Sequence, residues 1–247
     1  MRVDQFIAKK FNLSRTKAQE LIKSGAVQKK SKDNTLEILK QPSSPVEEGA
    51  EYSILDDQLI KYVSRSGLKL EGALKTTQLN VKNFKALDMG LSTGGFSECL
   101  LGFGAKTVVG VDVGHDQLHS KLKNQLEYYD GVNAKDLSSY EFMHAHLNSF
   151  DIVVIDVSFI SLEFILPQAY QFLKDDGILL SLVKPQFELG AKALNKKGIV
   201  KDSALYKDLE EKIKQLCNKL QFKVLDYFKS PIEGGDGNQE FFVYAKK

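Results

Sequence analysis

The stretch FKALDMGLSTGGFSE, residues 84–98, decides the fold prediction for this chain. An apolar run typical of a buried β-strand ends at Asp88, and Gly90 and the pair Gly94 and Gly95 follow it. A strand, a glycine-rich loop and an apolar helix in this order are typical of the first crossover in an open α/β sheet. Ligands of such sheets bind beyond the carboxyl ends of the strands, so the loop predicts a cofactor site.

Strands and helices alternate along the chain after residue 84. Four apolar runs favour strands of a parallel sheet that is covered on both faces: FKALDMG, KTVVGVDVG, FDIVVIDVS and GILLSLVKP. Helical spacing of apolar residues predicts helices in SLEFILPQAYQFL and DSALYKDLEEKIKQLCNKL. The last segments, FKVLDYFKS and EFFVYAKK, predict two strands joined by the loop PIEGGDGNQ, which makes the final strand antiparallel. The predicted fold class is therefore α/β with a doubly wound, mostly parallel sheet.

The first 58 residues predict a separate small α+β domain. Apolar residues recur at helical spacing from Val3 to Phe11, and a second helix is predicted with Ser14 as its N-cap and Gly25 at its C-terminal end. The segments TLEIL and AEYSIL alternate as short strands, with QPSSPVEEG as the turn between them. Residues 59–83 then form a linker and a leading helix, and residues 84–247 form the larger domain.

Composition limits the class of protein. With 43% hydrophobic and 27% charged residues the chain is an ordinary globular protein. It contains no run of about 18 uncharged apolar residues, and its first twelve residues lack the apolar core of a signal peptide, so we expect a cytoplasmic protein without a membrane association. The two cysteines are expected to be reduced, and no cysteine or histidine spacing indicates a metal site.

Charge is distributed unevenly along the chain. The formal net charge is +2, but residues 1–32 carry nine cations against two carboxylates, which leaves −5 for the rest. This asymmetry predicts that the N-terminal segment binds a polyanion. The cations predicted to bind this polyanion are Arg2, Arg15, Lys17, Lys23, Lys29 and Lys30.

The glycine-rich loop indicates the kind of cofactor. It lacks the GK[ST] of a phosphate-binding P-loop and the G-x-G-x-x-G spacing, which disfavours a pyrophosphate cofactor. Asp88 suits a ligand with a positive group, and S-adenosylmethionine carries an ammonium and a sulfonium. Asp112 ends the second strand, where a carboxylate can accept both ribose hydroxyls. We interpret the loop as an S-adenosylmethionine site; the alternative is a strand–helix turn that needs glycine only for its backbone geometry.

Ionisable residues end the other strands. Asp156 closes DIVVID and Lys184 closes ILLSLVK, and an antiparallel last strand would bring Glu240 to the same edge. A lysine whose amine is made neutral by desolvation or a second cation can take a proton from an alcohol. This arrangement favours a hydroxyl methyl acceptor, whereas the alternative interpretation is a surface ion pair.

The chain resembles the hemolysin A (TlyA) family, in which an S-four-type RNA-binding domain precedes an FtsJ-type ribose methyltransferase. The motifs that carry the resemblance are SRTKAQELIKSGAV, YVSRSGLKLEGAL, LDMGLSTGGFSECLLGFGAKTVVGVDVGHDQL, NAKDL, DIVVIDVSFISL, LVKPQFELG, KGIVKD and GNQEFFVY. The resemblance implies a seven-stranded Rossmann-like sheet and S-adenosylmethionine-dependent 2′-O-methylation of ribosomal RNA or ribosomal subunits, with cytidine as the expected base. It also implies a catalytic tetrad of Lys69, Asp156, Lys184 and Glu240, in which Lys69 comes from the resemblance alone.

The resemblance and the loop together predict the cofactor contacts. They are Asp88, Gly90, Ser92, Thr93, Gly94, Gly95, Phe96, Asp112 and Asn133, the last of these at the adenine edge. Three segments depart from the family pattern: VQKKSKDNT replaces the expected V-N-G turn, SRSG replaces SRGG, and the last loop is EGGDGN. Two rival functions are a membrane-lytic hemolysin and an RNA-binding protein with an inactive transferase half. No secretion signal, span or long cationic amphipathic helix supports the first, and the intact loop and tetrad argue against the second.

Overall fold

The computed structural model of the chain describes residues 1–234 and 237–247 and divides them into two units, Met1–Arg65 and Ser66–Lys247. Gly235 and Asp236, in the loop EGGDGN that departs from the family pattern, lie outside the described residues.

The first unit combines two helices with a three-stranded antiparallel sheet. Its elements are α1 Val3–Lys10, α2 Arg15–Lys23, β1 Val27–Lys30, β2 Leu36–Ile38 and β3 Glu51–Ile54. Strand β1 lies in the centre, and β2 and β3 each pair with it. Strand β1 lies in the segment VQKKSKDNT, to which the sequence analysis assigned no element. Three of the four residues of β1 are polar, and only Val27 is buried, so the segment lacks the alternation that predicts a strand.

The helices of the first unit begin and end as expected. The Ser14 hydroxyl accepts a hydrogen bond from the backbone N–H of Lys17, as an N-cap residue does. Gly25 follows α2 with a φ of 77°, in the left-handed region where glycine is favoured. Ile7, Ile22 and Val27 are fully buried and join the helices to the sheet in one core.

The second unit is built on a seven-stranded sheet. Its strands are β4 Lys85–Met89, β5 Thr107–Asp112, β6 Glu127–Asp130, β7 Phe150–Ile155, β8 Leu173–Val183, β9 Lys223–Lys229 and β10 Phe241–Lys246. The order across the sheet is β6-β5-β4-β7-β8-β10-β9, and β10 runs antiparallel to both of its neighbours. The prediction of a doubly wound, mostly parallel sheet with an antiparallel last strand is therefore confirmed.

Helices cover the sheet. They are α3 Ser66–Thr77, α4 Gly95–Gly102, α5 Leu162–Phe172, the single turn α6 Pro185–Glu188 and α7 Leu205–Lys219. Short 3-10 turns occupy Asp57–Ile60 in the first unit and Ser120–Leu122, Ala134–Ser139, Glu141–His146 and Ala191–Ala193 in the second. In α7, Leu209, Ile213 and Cys217 form the buried stripe that the sequence spacing predicted. Cys99 is buried as well.

The strand order sets the position of a site. The chain leaves β4 toward β5 on one side, whereas β7 pairs with β4 on the other side. The order of the strands reverses at this point, and a crevice opens there beyond the carboxyl ends of an α/β sheet. Residues of the loops after β4 and β7 line that crevice.

Candidate active site

Gly90 allows the two loops of the crevice to meet. It has a φ of 93°, and a Cβ atom placed on it would lie 2.5 Å from the backbone oxygen of Asp156. The backbone N–H of Asp156 also donates to the backbone oxygen of Met89 at 3.0 Å. Any larger residue at position 90 would push the loops apart. Glycine is therefore required here both for its positive φ and for the close approach of the two loops.

A cavity of about 350 Å³ lies in the crevice. Its lining residues come from the ends of β4, β5, β6 and β7, from the loops that follow them and from α5: Gly90, Ser92, Val111, Asp112, Val113, Gln117, Val132, Asn133, Ala134, Asp156, Val157, Ser158, Phe159, Ile160 and Ile165. The predicted cofactor contacts Gly90, Ser92, Asp112 and Asn133 thus line the same cavity. The other five, Asp88, Thr93, Gly94, Gly95 and Phe96, lie outside this lining.

Asp112 presents a carboxylate to the cavity. Its Oδ2 accepts from the backbone N–H of Ser92 and its Oδ1 from that of Gly114, both at 2.7 Å. These two bonds fix the orientation of the carboxylate, and each oxygen keeps a lone pair for a further donor. A pair of vicinal hydroxyls on a ribose matches that remaining acceptor capacity.

Asp88 lies beneath the loop. It is fully buried, its Oδ2 accepts from the Ser97 hydroxyl at 2.6 Å, and its Oδ1 has no hydrogen-bond partner among the described atoms. Burial raises the pKa of Asp88 to about 7, opposed by the Ser97 bond and reinforced by the charge of Asp156. A carboxyl in this position can act on the cavity through its charge, but it does not form part of the cavity surface.

Packing accounts for two other predicted cofactor contacts. Gly94 has a φ of 94°, and a Cβ atom there would lie 2.5 Å from Leu122, so glycine is required by the turn itself. Phe96 is almost completely buried, and its ring stacks on that of Phe242 with 6.4 Å between centroids. The cofactor roles assigned to both residues stay predictions.

The four tetrad residues form two ion pairs at the same edge of the sheet. The Nζ of Lys69 lies 2.5 Å from Oε2 of Glu240, and the Nζ of Lys184 lies 2.7 Å from Oδ1 of Asp156. Phe241 is paired with Val183 in the sheet, so Glu240 and Lys184 leave neighbouring strands side by side. Each of the four side chains is at most 14% exposed. Asp156 also lines the cavity, so the ion pairs lie next to the crevice.

Electrostatics couple the two ion pairs. Burial raises the pKa of Glu240, while the cations of Lys69 and Lys184 oppose that rise and the charge of Asp156 adds to it. The carboxyl of Glu240 therefore senses both lysines and the other carboxylate. A change of charge at any of these groups will change the protonation of Glu240.

Ser158 and Glu188 complete the site, and the sequence analysis missed both. The Ser158 hydroxyl lines the cavity and accepts from the Nζ of Lys184 at 2.8 Å. Glu188 accepts from the Ser161 hydroxyl and from the backbone N–H of Leu162, each at 2.8 Å, and so ties the start of α5 to the turn α6 that follows Lys184. The motifs DVSFISL and LVKPQFELG contain both residues, but a polar residue in a loop gives no sign of its partner.

The residues of the crevice fit S-adenosylmethionine. Asp112 can accept ribose hydroxyls, the side chains of Val111, Val132 and Ile160 form apolar walls for a base, and the unpartnered Oδ1 of Asp88 is a source of negative potential. Within the described parts of the chain, no group of three or more histidine, cysteine or acidic side chains is arranged to hold a metal ion.

The predicted RNA-binding cations of the first unit differ in their surroundings. Arg2 and Arg15 both donate to the buried carboxylate of Asp4, and each keeps about half of its side chain exposed. Lys29 pairs with Glu37 and Glu47. Lys17 is buried, and burial lowers the pKa of its amine. Lys23 and Lys30 are exposed.

Similarity to known proteins agrees with this geometry. A family model described as an FtsJ-like methyltransferase matches residues 62–247. Hemolysin A of Brachyspira hyodysenteriae is 37% identical over 99% of this chain and 99% of its own length. A 23S rRNA (cytidine-2′-O)-methyltransferase TlyA of Campylobacter jejuni is 34% identical over the full length of both chains. The solved structure of a hemolysin-like protein from Streptococcus thermophilus is 34% identical and superposes with a TM-score of 0.75, over 100% of this chain and 88% of that one.

None of the helices in the described ranges is long and apolar enough to cross a membrane.

The predicted family is confirmed by full-length relatives and by a family model that matches three quarters of the chain. This chain belongs to the hemolysin A (TlyA) family, and its second unit is an FtsJ-like methyltransferase.

Proposed function

We propose that the chain transfers a methyl group from S-adenosylmethionine to the 2′-hydroxyl of a ribose in ribosomal RNA, with cytidine as the acceptor nucleoside. S-adenosylmethionine is the methyl donor of the family to which the chain belongs. One observation supports the choice of acceptor: Asp156 lines the cavity and also pairs with Lys184, so an amine lies next to the proposed cofactor site. Two relatives that match almost the whole chain support ribosomal RNA and cytidine as the substrate. One is named a 23S rRNA (cytidine-2′-O)-methyltransferase and the other a 16S/23S rRNA (cytidine-2′-O)-methyltransferase.

The chain's own groups suit proton removal from an alcohol. In its neutral form the amine of Lys184 accepts the proton of the 2′-hydroxyl, and Asp156 and Ser158 hold the Nζ atom in place on two sides. Bound S-adenosylmethionine supplies an electrophilic methyl group on its sulfonium. Lys69 and Glu240 form a second buried ion pair. This pair fixes a cation and a carboxylate next to Lys184 and helps to keep water away from the acceptor hydroxyl.

The first unit is proposed to bind the RNA substrate. Its first 32 residues carry a net charge of +7, and Lys23 and Lys30 present free surface to a phosphate backbone. We place the reaction in the cytoplasm, on ribosomal RNA or on ribosomal subunits. No membrane enters this function.

Methylation of purified ribosomal subunits tests the proposal. Full-length protein is incubated with labelled S-adenosylmethionine and with separated subunits, and 2′-O-methyl groups are mapped by their resistance to alkaline cleavage. The expected result is label on the ribose of a small number of cytidines, absent with the matched variant Asp156→Asn. Label only on bases, or leakage of liposomes without any methyl transfer, would contradict the proposal and favour another activity.

A further inference from the structure

A lysine-rich hairpin follows Lys184 in the methyltransferase unit. After the turn α6 the chain forms a bridge between Leu194 and Val200, and the backbone N–H of Asn195 donates to the oxygen of Ile199 at 2.8 Å. Gly198 closes the turn with a φ of 77°. We call residues 190–201 the basic hairpin.

The charge of this hairpin contrasts with the unit that carries it. Four of its twelve residues are lysines and none is acidic, whereas residues 66–247 as a whole have a formal net charge of −1. All four lysines are exposed: Lys192, Lys196, Lys197 and Lys201. In the described parts of the chain, none of them takes part in an ion pair, and Lys201 donates to the backbone oxygen of Lys192. Their charge is therefore available to a partner.

Asn238 fixes the hairpin to the active-site edge. This residue is completely buried; its Oδ1 accepts from the backbone N–H of Val200 and its Nδ2 donates to the oxygen of Gly198, both at 3.0 Å. Asn238 lies two residues before Glu240, and the other end of the hairpin continues from α6 and Lys184. The hairpin is thus held at both ends by the segments that carry two tetrad residues.

We infer that the basic hairpin is a second phosphate-binding surface, which holds the backbone of the RNA strand that carries the acceptor ribose. A point charge on a flexible stem suits phosphate contact without base recognition. An anionic membrane surface fits less well, because membrane-binding segments also insert large apolar side chains, and Leu194, Ile199 and Val200 are partly buried in the fold. The inference rests on the proposed function for the identity of the RNA.

Charge removal in the full-length protein tests the inference. The double variant Lys196→Gln/Lys197→Gln is compared with Lys196→Arg/Lys197→Arg, which keeps the charge, and with Lys219→Gln/Lys223→Gln. The last pair removes two exposed lysines at the end of α7 and the start of β9, at the opposite edge of the sheet. Binding of purified ribosomal RNA is measured by fluorescence anisotropy over a range of salt concentrations. Vesicles that contain anionic lipid are the second probe.

The glutamine variant should lose about tenfold in RNA affinity at about 0.1 M salt. Its slope of log K against log salt should become shallower by about 1.4–1.8, because two phosphate contacts are lost and each contributes about 0.7–0.9 to the slope. The arginine variant and the distant control should bind as the wild type does. Unchanged affinity and slope in the glutamine variant overturn the inference, as does a loss of vesicle binding without a loss of RNA binding. Because this measurement requires no methyl transfer, its outcome is separate from that of the proposed reaction.

Discussion

The Nζ atom of Lys69 lies 2.5 Å from Oε2 of Glu240, although 171 positions separate the two residues in the chain. Lys69 is on the first helix of the methyltransferase unit, and Glu240 immediately precedes its last strand. The pair therefore joins the beginning and the end of this unit next to Lys184 and Asp156. Both side chains are buried, so the loss of either partner leaves an uncompensated group.

Lys69→Met should make the stability of the protein depend more steeply on pH. The pKa of Glu240 is raised in the folded state, so the folded state binds more protons, and stability falls as pH rises from the unfolded pKa through the folded one. Without the Lys69 cation that pKa rises further, and the destabilisation should grow from small at about pH 5 to about 3–5 kcal/mol at about pH 8. Urea unfolding at both pH values measures it. The double variant Lys69→Met/Glu240→Gln should not show the added pH dependence. If Lys69→Met lost the same amount of stability at both pH values, then lost packing and not lost charge would explain the effect.

Asp88→Asn should stabilise the protein at high pH. The folded pKa of Asp88, raised to about 7, lies above the ordinary aspartate pKa of 3.8, so the wild type loses stability as pH rises between these values. The difference in pKa corresponds to at most about 4.5 kcal/mol of stability, at about 1.4 kcal/mol per pH unit. Relative to wild type, the variant should gain stability between about pH 4 and about pH 8. The control Asp116→Asn, at an exposed position, should not gain stability in this pH range. If both variants gave the same profile of stability against pH, then burial would not disfavour the charged form of Asp88.

Asp112→Ala should weaken S-adenosylmethionine binding. Its carboxylate faces the cavity, and charge-assisted hydrogen bonds to ribose hydroxyls contribute about 1.5–3 kcal/mol each. Asp130→Ala is the matched control, because Asp130 ends the neighbouring strand in register with Asp112 but lies outside the cavity lining. Calorimetry should show that Asp112→Ala loses at least tenfold in affinity for S-adenosylmethionine and that Asp130→Ala changes little. A tenfold loss in affinity corresponds to about 1.4 kcal/mol. Equal losses would mean that the strand ends matter only for the fold.

Lys23→Gln/Lys30→Gln should reduce RNA binding without any effect on the cofactor. Both lysines are exposed in the first unit, whereas Arg2 and Arg15 share the carboxylate of Asp4 and are expected to contribute less per charge. The salt slope of RNA binding should become shallower by about 1.4–1.8. Lys40→Gln, an exposed lysine outside the predicted set, is the control. An unchanged slope in the double variant would argue that the first unit has another role.

Apolar patterning predicted most of the methyltransferase unit, because the central strands β4, β5, β7 and β8 are largely buried and contain continuous apolar runs. The antiparallel direction of the last strand was enough to bring Glu240 to the edge where Asp156 and Lys184 lie. Pattern alone failed where burial is partial: β1 is mostly polar, and the residues of β6 are only half-buried or exposed. It also failed for side-chain direction, since an acid at the end of a strand gives the same signal whether it faces the cavity, as Asp112 does, or the interior, as Asp88 does.

Lys184→Ala should bind S-adenosylmethionine and RNA nearly as the wild type does, but it should lose methyl transfer. The Nζ of Lys184 lies between Asp156 and Ser158 at the cavity, and removal of a general base costs about 10²–10⁴-fold in rate. Lys184→Arg keeps a cation next to Asp156 but stays protonated, so it should not restore the rate. Ser158→Ala removes one partner of Nζ and leaves the amine, and should cost about tenfold or less, as expected for one hydrogen bond. Single-turnover methylation of ribosomal RNA separates these cases. If the arginine variant reacts at nearly the wild-type rate, then Lys184 stabilises charge, and a different group removes the proton.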